Sequence, residues 1–146
     1  MGYKEDVMNE VTCTRLLAWD GAHRVPRQGG KCEKLHGHRY TAEITCQAEL
    51  NSTGMVVDFS VVKALVGGWI DEKWDHGTLV AEDDTELLNW LKANDQKWDV
   101  VSTPTAEVMA EVLYGVASGL LADHRLRVVC VRVYETVNCW AECRRG

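Results

Sequence analysis

Two histidines separated by one residue, His36-Gly37-His38, open a run that alternates like a β-strand: Arg39-Tyr-Thr-Ala-Glu-Ile-Thr-Cys-Gln-Ala. In a strand, residues i and i+2 point to the same face. Both imidazoles can therefore turn toward one point and share a metal ion. His23 lies just upstream and supplies a third nitrogen, which leaves a fourth position free, as in catalytic zinc sites. Cys32 stands four residues before His36, between Lys31 and Lys34, whose charges favour its thiolate. A metal and a nearby base in one short segment point to an enzyme. The competing arrangement is a closed structural site in which Cys32 completes the shell with the three histidines.

At 146 residues the chain is long enough for one domain with a real core, and no linker or internal repeat divides it. Residues 1–146 are expected to form that single domain, with 1–10 as a flexible tail. No apolar stretch is long enough to span a membrane. The N-terminus reads as neither a signal peptide nor a myristoylation motif. Six cysteines without a Cys-x-x-Cys pair then read as reduced thiols of a cytoplasmic protein, mostly buried in strands. The net charge of −6 argues against nucleic acid as a partner. The segment from Ala22 to Tyr40 nevertheless carries +4, leaving −10 to the rest. That local positive field fits an anionic small molecule; scattered charges on a solvated loop account for it nearly as well.

Strands are expected over Val11–Trp19, Arg39–Glu49, Leu126–Glu135 and Cys139–Arg144. Helical spacing of Phe59, Val62, Val66, Trp69 and Ile70 follows Asp58, an N-cap candidate, while Gly67-Gly68 weakens that helix. A short helix fits Asp83–Lys92. The clearest helix opens at Thr103-Pro104, with Thr103 as cap and an apolar face of Met109, Val112, Leu113, Val116 and Leu120. The order ββααββ implies an α+β fold: a four-stranded antiparallel sheet with two main helices on one face. Its open edges call for blunting or for pairing with other subunits.

Six segments in order, Gly21-Ala-His-Arg, Cys32-x-x-x-His-Gly-His-x-Tyr, Gly54-Met-Val-Val-Asp-Phe, Trp74-Asp-His, Pro104-Thr-Ala-Glu and Glu135-Thr-x-x-x-Trp-Ala-Glu142, resemble the 6-pyruvoyl-tetrahydropterin and 6-carboxytetrahydropterin synthases of the tunnelling fold (T-fold). The three residues between Cys32 and His36 are similar to the bacterial carboxy-type enzymes. Trp74 and Gly77 depart from the family's usual pattern.

The resemblance implies Zn2+ on His23, His36 and His38, with Cys32 as general base. It implies Asp75 orienting a proton-shuttling His76, although Asp75-His76-Gly77 on position alone reads as a turn. Glu135 would anchor the pterin edge by a bidentate pair; read alone, it is a strand-end residue facing water. Thr105 and Glu107 would contact substrate, or simply belong to a helix start, where a negative charge is favoured. The implied reaction converts 7,8-dihydroneopterin triphosphate to 6-carboxytetrahydropterin, in a homohexamer of two trimeric rings. The alternatives are the pyruvoyl reaction on the same substrate and a non-catalytic metal- or pterin-binding oligomer.

Overall fold

The computed structural model describes residues 9–122 and 125–146. Most of the expected N-terminal tail therefore lies outside the described residues. Six strands form one sheet: β1 (Thr12–His23), β2 (His36–Gln47), β3 (Gly77–Ala81), β4 (Trp98–Val101), β5 (Arg127–Thr136) and β6 (Cys139–Arg144), in the order β4-β3-β1-β2-β5-β6. The four strands expected from sequence make up its antiparallel part, β1-β2-β5-β6. β3 and β4 correct the count. They add a parallel extension, with β3 beside β1 over Gly21–His23 and β4 beside β3. Five consecutive buried residues in β3 give no alternation, as parallel strands covered on both sides generally do not.

The helical segment after Asp58 runs as α1 (Phe59–Val62), a π-helical turn (Lys63–Gly67) and α2 (Gly68–Lys73). Asp58 is its cap, accepting from the Ser60 amide at 2.8 Å. The irregular turn falls where Gly67 packs on β1, since a Cβ there would come within 3.3 Å of Leu17 Cδ2. α3 (Thr85–Ala93) is capped by Asp84. α4 (Ala106–Leu120) is capped by Thr105 rather than Thr103, whose carbonyl instead accepts from the Thr105 amide at 2.9 Å.

The main core lies between one face of the sheet and the helices. β1 contributes Leu17 and Trp19, β2 Tyr40, Ala42, Ile44 and Cys46, and β5 Val128, Val131 and Val133. α4 meets them through Met109, Ala110, Leu113 and Ala117, and Leu120 is exposed. Its buried stripe is thus rotated from the expected one toward two alanines, which let helix and sheet approach closely. Leu79 of β3 joins this core, whereas Val80 packs with Leu87 and Leu91 of α3. Because neighbouring strand residues point to opposite faces, α3 covers the other side of β3.

Five of the six cysteines lie in strands as expected, but only Cys46 is buried, and its thiol is pushed up to about 12 by that burial. Among the described residues no helix is long and apolar enough to cross a membrane.

Candidate metal centre and adjoining cleft

The register of β1 against β2 sets His23 opposite His36, with Gly21 opposite His38. Gly37 lies between the two β2 histidines, and a Cβ there would stand 3.0 Å from the Gly21 carbonyl oxygen. The tight approach of the two strands at this point accordingly depends on the glycine. Residues 131, 133 and 135 of β5 continue the same face, which brings Glu135 to the same end of the sheet. His23, His36, His38 and Glu135 form a cluster whose ligand atoms all lie within 4.8 Å of one another. Cys32 is not part of it, so the closed site with a cysteine ligand finds no support.

Hydrogen bonding fixes the histidine tautomers. His23 Nδ1 lies 2.6 Å from the Pro104 carbonyl oxygen, and His36 Nδ1 lies 2.6 Å from that of Lys34. A carbonyl only accepts, so both Nδ1 atoms carry hydrogen and both Nε2 atoms present lone pairs. These Nε2 atoms face each other at 3.2 Å. Glu135 Oε1 is 2.9 Å from His23 Nε2 and 3.1 Å from His38 Nε2. Burial lowers the His23 and His38 pKa values, although Glu135 pulls both back upward, so neutral rings are favoured. His38 Nε2 is buried, and apart from the Glu135 carboxylate no hydrogen-bond acceptor or donor among the described residues serves it. Lone pairs and a carboxylate aimed at one another repel unless a cation lies among them. The donor set and its carbonyl supports are those of a metal site.

Tyr40 continues the His36, His38 face by two more residues. Its ring stacks on Trp19 at 5.4 Å and meets the edges of His38 and His23 at 5.5 and 5.9 Å. Burial and the Glu135 charge hold the phenol in its neutral form, and its hydroxyl has no partner among the described residues. Trp19 also contacts Trp74, whose indole nitrogen donates to Asp99 at 2.9 Å. The unusual Trp74 thus closes an aromatic wall behind the histidines. Gly77 leaves room for Lys97, whose Cγ a Cβ would approach to 3.1 Å.

Asp75 and His76 occupy the tight turn before β3, with His76 at a positive φ of 57°. Asp75 Oδ1 accepts from the Asp20 amide at 3.1 Å and lies 3.0 Å from His76 Nδ1. Partial burial pushes the Asp75 carboxyl up, but the Asp20 amide, His76 and Lys97 together hold it below the ordinary range. The turn and the Asp75–His76 contact thus coexist. A cleft of about 520 Å³ has His76, His38, Asp20, Arg39 and Lys97 on its walls, so His76 shares it with one histidine of the cluster.

The remaining expected residues lie outside the four-donor cluster. Cys32 sits half-exposed in a single 3-10 turn (Lys31–Glu33), its carbonyl accepting from the Val25 amide. Thr105 spends its hydroxyl on the Val108 amide at 3.3 Å, and Glu107 is exposed in the first turn of α4. The positive field expected around the site is partly cancelled, since Arg24, Arg27 and Arg39 pair with Asp84, Asp83 and Asp20. Pro104, whose carbonyl orients His23, has no side-chain signal that a sequence could display. Glu135 as a neighbour of the histidines does have one, the period-two continuation from Val131 and Val133.

Solved structures share this architecture. An uncharacterised protein of Wolinella succinogenes superposes with a TM-score of 0.83 at 19% identity, covering 95% of this chain and 100% of its own. The 6-pyruvoyl tetrahydropterin synthase of Caenorhabditis elegans gives 0.69 at 21% identity, covering 95% and 98%. They establish the α+β tunnelling fold. In sequence, the 6-carboxy-5,6,7,8-tetrahydropterin synthase of Rickettsia bellii is 35% identical over 136 residues, 90% of this chain and 99% of the relative. The family model described as 6-pyruvoyl tetrahydropterin synthase matches residues 12–146, a span that holds every strand of the sheet and all four donors. The chain therefore belongs to the 6-pyruvoyl tetrahydropterin synthase family.

Proposed function

We propose that this protein is a zinc-dependent lyase, a 6-carboxy-5,6,7,8-tetrahydropterin synthase. It would convert 7,8-dihydroneopterin triphosphate to 6-carboxytetrahydropterin, releasing acetaldehyde and triphosphate, on a cytoplasmic route to 7-deazaguanines such as queuosine. The relative bearing that name at 35% identity supports the reaction. The observation that carries the reading is the convergence of His23 and His36 through lone pairs 3.2 Å apart, each ring locked by a carbonyl. A set rich in neutral imidazole suits zinc.

When bound, the ion supplies Lewis-acid polarisation and eases loss of a proton from oxygen. His23, His36 and His38 hold it. Cys32 is the base that would take a proton from the substrate's side-chain carbon next to the ring. Asp75 holds His76 by Nδ1, leaving Nε2 to move protons in the cleft that His76 shares with His38. Glu135 pairs with the N–H edge of the pterin, and Thr105 and Glu107 contribute contacts from the start of α4. The protein would work as a homo-oligomer, a hexamer, whose neighbouring subunits complete each site; the unpaired strand edges support an assembly.

The test is incubation of purified protein with dihydroneopterin triphosphate and identification of products by mass. 6-Carboxytetrahydropterin with acetaldehyde is the expected outcome, alongside about one zinc per chain that is lost in H36A and H38A. A 6-pyruvoyl product would replace this assignment with the sister reaction, which the description of the family model favours. No turnover with pterin bound would leave a binding protein.

A further inference from the structure

Glu135 is the donor whose position the expected chemistry does not explain. A pterin anchor needs both carboxylate oxygens turned toward the ring, yet Oε1 is directed into the histidine cluster. Its only hydrogen-bond or ion-pair partners among the described residues are His23 and His38. A tetrahedral shell with bonds of about 2.0–2.1 Å places neighbouring donors about 3.3 Å apart. The separations here, 2.9 Å and 3.1 Å to Glu135 and 3.2 Å between His23 and His36, are close to that edge.

The backbone also accounts for the aim. The register between β5 and β6 shifts between Tyr134 and Thr136, where Tyr134 pairs with Trp140 and Thr136 with Cys139. Glu135, on the face that Val131 and Val133 continue, is therefore left without a partner on β6. Its side chain keeps 28% exposure, so the carboxylate can leave the cluster without unpacking the core.

We propose that Glu135 is the fourth metal ligand of the ligand-free protein and an exchangeable one. The N–H edge of an entering pterin competes for the same carboxylate, draws it off the metal and so opens the fourth position only when the ring is seated. The exchange rests on the pterin reading above; the ligation does not. It differs from both sequence alternatives, an open three-histidine site and a site closed by Cys32.

The test uses the full-length protein loaded with Co(II), whose visible bands report the ligand set, and zinc affinity measured by chelator competition. Without pterin, Glu135→Gln should change the Co(II) spectrum and weaken zinc at least about tenfold, since even outer partners of metal ligands cost 10–100-fold. Glu135→Asp, which keeps the charge but shortens the reach, should also change the spectrum, and it guards against a Gln variant that fails to fold. Unchanged spectra and affinity in folded variants would overturn the ligation. Neopterin should then move the wild-type spectrum toward that of Glu135→Gln. If neopterin binds by fluorescence while the wild-type spectrum stays fixed, the exchange is overturned. If it does not bind at all, the pterin reading and the exchange both fail, and the variant spectra still decide the ligation.

Discussion

Among the residues, Cys32 separates two roles that one sequence position could serve. It stands outside the four-donor cluster, so Cys32→Ala should leave zinc content and melting temperature unchanged. Loss of a general base typically costs about 10²–10⁴-fold in rate, and turnover should fall within that range. Metal analysis and a rate on the one variant check this, and zinc lost together with the fold would return Cys32 to the shell. The convergence of His36 and His38 was legible from sequence because i, i+2 spacing on a strand leaves imidazoles little choice of face. His23 was grouped with them by its nearness in sequence, and the register that sets it opposite His36 is what brings it there. The supports were not legible: the Pro104 and Lys34 carbonyls that fix two tautomers are backbone atoms, common to every residue type.

For the elements, what was missed follows from how strands announce themselves. β3 has a buried run with no alternation, next to turn chemistry at Asp75-His76, and β4 is four residues long. β1 continues past Trp19 because Asp20, although a turn-forming residue, is held on both sides: its amide donates to Asp75, and its carbonyl accepts from the His76 amide at 2.7 Å. The link from β1 to α3 can be tested directly. Arg24, next to His23, makes two 2.7 Å bonds to Asp84, which is buried and caps α3. The Arg24 hydrogen bond, more than burial opposes it, holds the Asp84 carboxyl below its ordinary value. A depressed folded-state pKa contributes stability above the unfolded value of 3.8 and loses it as pH falls through the folded one. Asp84→Asn keeps the cap acceptor but breaks the charged pair, and should destabilise by about 1–3 kcal/mol. Thermal melts at fixed protein concentration should show that gap across neutral and mildly acid pH, closing only in strong acid. A gap absent at neutral pH would mean the pair contributes nothing, and one that closes already in mild acid would mean the Asp84 carboxyl is not held below its ordinary value.

At the scale of the whole molecule, the sheet is left unfinished. β1 meets β3 only over Gly21–His23, so Thr12–Asp20 has no strand partner on that side among the described residues, and β6 and β4 are open edges. The sheet face away from α4 exposes Leu16 and Trp140, with Val137 at the β5–β6 turn. Between the apolar residues lies a charged network in which Arg132 meets Glu142 at 3.3 Å and Tyr134 donates to Glu43 at 3.1 Å. Unpaired edges and exposed apolar side chains of this kind are costly in a monomer and are ordinarily covered. Light scattering at micromolar concentration should therefore report an assembly, with a hexamer near six times the 16.4 kDa chain mass. Placing a charge in the middle of the exposed face, Leu16→Glu, should shift the population toward smaller species, because a buried unpaired carboxylate is strongly disfavoured. If active sites are completed between subunits, turnover should fall with the assembled fraction, while zinc should stay bound, because the proposed donors His23, His36, His38 and Glu135 all come from one chain. A stable wild-type monomer with full turnover would break that coupling and require Cys32 to reach the cleft within its own chain.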